Sequence, residues 1–175
     1  MSNPLQHTPA YRARRFRNWF PLGLTYATFY MGRYNLNVSS KTMMDHFHLS
    51  KGEFGMIATA GFWTYALAVL VNGPLSDRIG GKKAILIGGA GTAAVNLLVG
   101  LLFLSGWQTK IIVGMSLLYA VSQYFQSFGA LSVVKINAPW FHVRERGVFG
   151  GIFGIMISSG YFLAMTVGGW ILAAL

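Results

Sequence analysis

Five stretches of this chain, at about residues 19–40, 53–74, 84–105, 111–134 and 147–173, are each predominantly apolar and about as long as a membrane-crossing helix. This recurrence constrains the fold more than any single motif. An α-helix rises about 1.5 Å per residue, so some twenty residues cover a hydrocarbon core of roughly 30 Å. Backbone at that depth must satisfy its own hydrogen bonds, and segments of this length do so as helices. The expected fold is therefore an all-α membrane protein with about five spans. Composition agrees, with 54 % hydrophobic and 10 % charged residues, against ~25 % charged in soluble domains. The absence of cysteine removes disulfides, thiolate nucleophiles and cysteine metal sites from consideration.

The charges fall mainly between the spans. Arg12, Arg14, Arg15, Arg17, Arg78, Lys82, Lys83, Lys135, Arg144 and Arg146 alternate onto one side, and Lys41, Lys51 and Lys110 onto the other. Basic residues accumulate on the cytoplasmic face of such proteins. The net charge of +10 therefore reads as topology rather than as a nucleic-acid surface, with the amino terminus on the cytoplasmic side of a cell membrane. Residues 1–18 read as a flexible cytoplasmic basic tail, and 41–52 as an outer loop. A hairpin turn is expected at Gly106–Lys110. Ser50 followed by Glu53 has the spacing of a capping box opening the second span. Pro74 is expected to close that span or kink its last turn. Trp19, Trp107, Trp140 and Trp170 fall near the expected interfaces.

One charge breaks the pattern. Arg33 lies two-thirds of the way along the first span, and a guanidinium there costs at least ~2.5–3.5 kcal/mol on insertion scales. Tyr26, Tyr30, Arg33 and Asn37 are spaced by four, three and four residues, which puts three hydrogen-bonding groups and one permanent charge on a single helix face. That face is expected to wall a polar cavity holding an anion. The alternatives are that Arg33 snorkels to the headgroups or pairs with a carboxylate. The acidic residues, Asp45, Glu53, Asp77 and Glu145, all fall at expected helix ends or in loops.

The string Gly73-Pro74-Leu75-Ser76-Asp77-Arg78-Ile79-Gly80-Gly81-Lys82-Lys83 resembles the signature loop of the major facilitator superfamily, between its second and third helices. Read from the residues alone it is a short basic turn. The resemblance implies a gating contact for Gly73, Asp77, Arg78 and Gly80, with Asp77 meeting a helix end or a neighbouring arginine. Arg144-Glu145-Arg146-Gly147 resembles the same family's entry to its fifth helix, which places Arg144 and Arg146 opposite Asp77 in a charge relay.

Within the superfamily, Tyr26-x-x-x-Tyr30-x-x-Arg33-x-Asn35 resembles the organophosphate–phosphate antiporters, among them the glycerol-3-phosphate and hexose-phosphate carriers. That resemblance implies a phosphate on Arg33, flanked by Tyr26, Tyr30 and Tyr65. A guanidinium suits this role because its planar fork donates two charge-assisted hydrogen bonds. Two positions depart from the glycerol-phosphate pattern: Val69 stands for a lysine and Ile157 for a histidine.

Tyr119, Gln123 and Gln126 share a face of the fourth span, and Tyr65 and Asn72 share one of the second. Such residues either line a cavity or bridge helices, and both readings stay open. His46 and His48 lack further ligands for a metal, GGKK lacks a phosphate-loop pattern, and no catalytic set is visible. The expectation is a secondary transporter of an organic anion, a phosphorylated metabolite exchanged for phosphate, that is no enzyme and needs no cofactor. Its partners are the anion, the bilayer and a second half-carrier chain or a second copy. Five spans form only a partial amino-terminal bundle. The chain is then an incomplete product, a half-carrier that dimerises, or a non-transporting sensor or assembly subunit.

Overall fold

The computed structural model describes residues 7–105 and 110–174. The expected hairpin turn, apart from Lys110, and Trp107 lie outside the described residues. The described chain is helical, in the order α1 (Pro9–Val38), α2 (Ser40–Phe47), α3 (Lys51–Ile79), α4 (Gly81–Leu104), α5 (Ile111–Asn137) and α6 (Arg146–Ala174). Two 3-10 turns, Ala138–Trp140 and Val143–Glu145, join α5 to α6.

Four helices, α3 to α6, are long and apolar enough to cross a membrane. The remaining expected span, the first, belongs to α1, which has 30 residues but falls short by hydropathy because Arg33, its asparagines and its basic first turns dilute the apolar content. The tail expected to be flexible is helical from Pro9 onward. Thr8 caps it by accepting from the Tyr11 N–H at 3.3 Å, and proline in a first turn loses no helical hydrogen bond. The outer segment is also more ordered than expected. Ser40–Phe47 is a short helix that ends at His48 in the left-handed region, φ 53°, and buries Met43 among Leu36, Ile57 and Met115.

Ser50 and Glu53 form the expected capping box, the hydroxyl accepting from the Glu53 N–H at 3.2 Å and the carboxylate from the Ser50 N–H at 2.8 Å. Pro74 does not end α3, which runs on to Ile79. The expected basic loop thus shrinks to one residue. Gly80 alone leaves the helical conformation, at φ 84°, a region costly for any residue with a Cβ, and α4 begins at Gly81.

The bundle is organised around α5, which packs on α3, α4 and α1, while α6 packs chiefly on α1. Close approach needs small residues. Gly88 lets the Phe125 carbonyl come within 2.8 Å of where a Cβ would stand. Two of the polar residues left open by the sequence prove to be bridges. Asn72 Nδ2 donates to Ser127 Oγ at 2.7 Å and to the Tyr124 carbonyl at 3.3 Å, tying α3 to α5. Gln126 Nε2 donates to the Phe29 carbonyl at 3.0 Å, tying α5 to α1. Asn72→Ala is expected to destabilise the bundle by about 1–2 kcal/mol, read as a lower unfolding midpoint in detergent. Ser127 keeps its own bond to the Tyr124 carbonyl at 2.7 Å, which holds the cost to that range.

Candidate functional site

On α1 the 3.6-residue period brings Tyr26, Tyr30 and Arg33 into one row. Tyr26 is buried and Tyr30 meets it edge-on, ring centroids 5.4 Å apart. Arg33 Cζ lies 4.9 Å from the centroid of Tyr30 and 4.6 Å from that of Tyr65 on α3. Both separations are within the cation–π range of ~6 Å. Arg33 Nε and Nη2 are shielded from solvent yet have no hydrogen-bond partner among the described residues.

Among the described residues no side-chain carboxylate is found paired with Arg33. Glu53 is spent on its cap, Asp77 bonds Lys135, and Glu145 bonds Arg15 and His7. The arrangement is a planar donor fork held by two aromatic faces, with donors unspent. Such a group binds an oxyanion in two-point fashion.

Of the six residues read from the sequence as anion-binding, four are linked by ring contacts: Arg33, Tyr30, Tyr65 and, through Tyr30, Tyr26. Asn37 lies further along α1 and is exposed. Gln123 is buried against Gly61 of α3. Neither joins those ring contacts. Tyr34 was missed, although it stands four residues beyond Tyr30. Its ring is 5.9 Å from that of Tyr30 and 4.7 Å from that of Tyr161 on α6, which extends the aromatic row across to a third helix.

At the end of the bundle near Gly80, a lysine holds the signature string to α5. Asp77 pairs with Lys135 of α5 at 2.6 Å. Lys135 also donates to the Gly73 carbonyl at 2.8 Å. Within the motif, then, Gly73 and Asp77 share one cation and fasten α3 to α5, while Arg78 is exposed. Arg146 borders a cavity between α5 and α6. The Arg144 N–H donates to His142 Nδ1 at 3.4 Å.

Glu145 serves a different contact. Its two oxygens accept from Arg15 Nη1, each at 3.0 Å, and one accepts from the His142 N–H at 3.1 Å. His7 Nε2 lies 3.3 Å away. Tyr11 donates to the Trp140 carbonyl at 3.0 Å, and Arg15 stacks over Phe141 at 4.7 Å. The first turns of α1 are thereby strapped to the α5–α6 connection. This explains why a segment so basic is helical.

No solved structure matches the chain. Among curated proteins, the membrane sensor protein UhpC of Salmonella typhimurium is 30 % identical over 138 residues, 76 % of this chain and 30 % of that protein. A Chlamydia trachomatis protein described as "Probable hexose phosphate transport protein" is 23 % identical over 152 residues, 87 % of this chain and 32 % of that one. The D-galactonate transporter of Escherichia coli is 26 % identical over 153 residues, 87 % and 33 % of the two chains. The chain thus spans about a third of the length of these relatives. Residues 22–175 match the Major Facilitator Superfamily, and with a helical bundle whose α3–α4 junction carries that family's signature string, the chain belongs to it.

Proposed function

We propose that this chain forms part of a secondary transporter that moves an organic anion, a phosphorylated metabolite in exchange for phosphate, by alternating access. The observation that carries the reading is Arg33, a guanidinium clasped by Tyr30 and Tyr65 with Nε and Nη2 unpartnered. The names of the relatives, two transport proteins among them, support the class. In this reading Arg33 anchors the anion, and Tyr26, Tyr30 and Tyr65 shape its pocket, with Asn37 and Gln123 further out on the wall. The Asp77–Lys135 bond closes one end of the path and opens in the other state, and Gly73, Arg78, Gly80, Arg144 and Arg146 serve the same gate. The basic clusters set the amino terminus on the cytoplasmic side of a bacterial inner membrane. A path between two bundles needs a second set of helices, supplied here by a second half-carrier chain or a second copy.

A second reading has its own support. The relative at 30 % identity is named a membrane sensor, so binding without flux is the competing outcome. Reconstitution into liposomes loaded with phosphate separates the two. Saturable uptake of labelled phosphate above empty liposomes is the expected result. Phosphate binding to the same preparation without exchange favours the sensor, and neither binding nor exchange would remove both.

A further inference from the structure

A cavity of about 370 Å³ lies between α1, α5 and α6. Its walls include Val133 of α5 and Phe149, Gly150, Phe153 and Ile157 of α6, and Tyr26 of α1 lines it as well. Tyr26 is also the first ring of the row leading to Arg33. Its ring is 6.2 Å from that of Phe153 and 5.4 Å from that of Tyr30, which in turn lies 4.9 Å from the guanidinium. The cavity and the row that leads to Arg33 therefore share Tyr26. From Tyr26 to Arg33 is seven residues, about 10 Å along the helix. That span suits a small organic anion with its charge at one end and its body at the other.

The chemistry of the slot selects the body. A sugar would bury hydroxyl groups that need partners, and each unmet one costs on the order of 1–3 kcal/mol. The walls named above offer none besides the Tyr26 hydroxyl. The polar groups of the slot, Arg146 and Asn137, begin α6 and end α5, about 16 Å along α6 from Ile157. Aromatic and aliphatic side chains instead match a hydrocarbon or aryl group, whose transfer from water is favourable in proportion to its area.

The geometry points to an amphipathic ligand: an oxyanion on Arg33 that carries an apolar, preferably aryl, substituent seated in the slot between α5 and α6. This deepens the anion-transport reading and rests on Arg33 as the anchor. Gly150 offers a direct way to fill the slot. A Cβ there would meet nothing within 4 Å, and a helical glycine replaced by leucine gains rather than loses propensity. Gly154 on the same helix is equally open and lies outside the walls of the slot.

The test is calorimetric titration of the full chain in detergent with inorganic phosphate, glycerol 3-phosphate and 1-naphthyl phosphate, and with uncharged 1-naphthol to register partition into micelles. Naphthyl phosphate is expected to bind on the order of thirtyfold more tightly than phosphate, with glycerol 3-phosphate close to phosphate. Gly150→Leu should collapse that ratio towards one and Gly154→Leu should preserve it. Arg33→Gln should weaken all three anions. If naphthyl phosphate binds no better than phosphate, or Gly150→Leu leaves the ratio intact, while Arg33→Gln still weakens phosphate, the slot assignment falls and the anchor stands. If Arg146→Gln and not Arg33→Gln removes phosphate binding, the anchor falls and the orientation proposed here falls with it. Failure of the parent chain to bind any of the anions overturns both.

Discussion

Gly160→Val is expected to destabilise the bundle by about 3 kcal/mol, at the upper end of the cost of overpacking. A Cβ at Gly160 would stand 2.8 Å from Ala27 Cα and 2.9 Å from Ala27 C, and would also meet the Ala27 carbonyl oxygen. These are backbone atoms of α1, so no rotamer change relieves them and the two helices must part. The neighbouring Gly154 is the control, since a Cβ there meets nothing within 4 Å. Both glycines are helical, so valine changes intrinsic propensity alike at the two sites, and the difference between the variants isolates the α1–α6 seam. Gly154→Val should stay within about 0.5 kcal/mol of the parent. Unfolding midpoints followed by circular dichroism in detergent measure both. Equal midpoints for the two variants would show that the seam has room that the close approach denies. The seam also bears on the site. Arg33 is six residues beyond Ala27 on α1, under two turns, while Tyr65 sits on α3. Pushing α1 outward should therefore weaken anion binding as well.

What the sequence made legible follows from what each signal depends on. The spans rest on apolar runs and were readable wherever the run was clean. In the first span, within α1, the run is interrupted by Arg33 and its neighbouring asparagines, yet its length and aromatic content still mark it as a span. The Ser50–Glu53 box was readable because a cap is local, with both partners three residues apart. The row Tyr26, Tyr30, Arg33 was readable because it needs only the helical period. The same period offered Tyr34, whose place in the row shows only through Tyr161 on α6. Pairings across helices were not readable. Asp77 faced several inner-side cations, and the resemblance of residues 144–147 to the family's fifth-helix entry pointed to the arginines. Its bond to Lys135 is set by the side-by-side packing of α3 on α5. Likewise, nothing local distinguishes an asparagine that lines a cavity from one that bridges. Asn72 became a bridge because Ser127 and the Tyr124 carbonyl stand opposite it. The helix at Pro9 was missed because its basic composition suggested a solvated tail. Its partner is Glu145, a lone acid among arginines more than a hundred residues away.

Arg33→Lys is expected to weaken phosphate binding, and any exchange that depends on it, by about tenfold to a hundredfold, even though the charge is kept. A lysine ammonium is a point donor on a flexible stem. It cannot present two parallel N–H groups, and the loss of one charge-assisted hydrogen bond is worth about 1.5–3 kcal/mol. Nor does it offer a delocalised guanidinium to Tyr30 and Tyr65, whose ring centroids now lie 4.9 and 4.6 Å from Cζ. The substitution separates the two roles a membrane cation can have. A side chain that merely snorkels to headgroups works as well as lysine, which reaches the interface by the same route. A side chain that grips an oxyanion with its fork does not. Tyr65 supplies the companion experiment. Tyr65→Phe keeps the aromatic face and should retain most of the affinity, whereas Tyr65→Leu removes it and should cost several-fold, since a cation–π contact away from water is worth about 1–2 kcal/mol. Titration of labelled phosphate into each variant reads all three. Parent-like affinity in Arg33→Lys would mean that charge alone draws the anion, and the ordered pair of rings around the guanidinium would then have no part in recognising it.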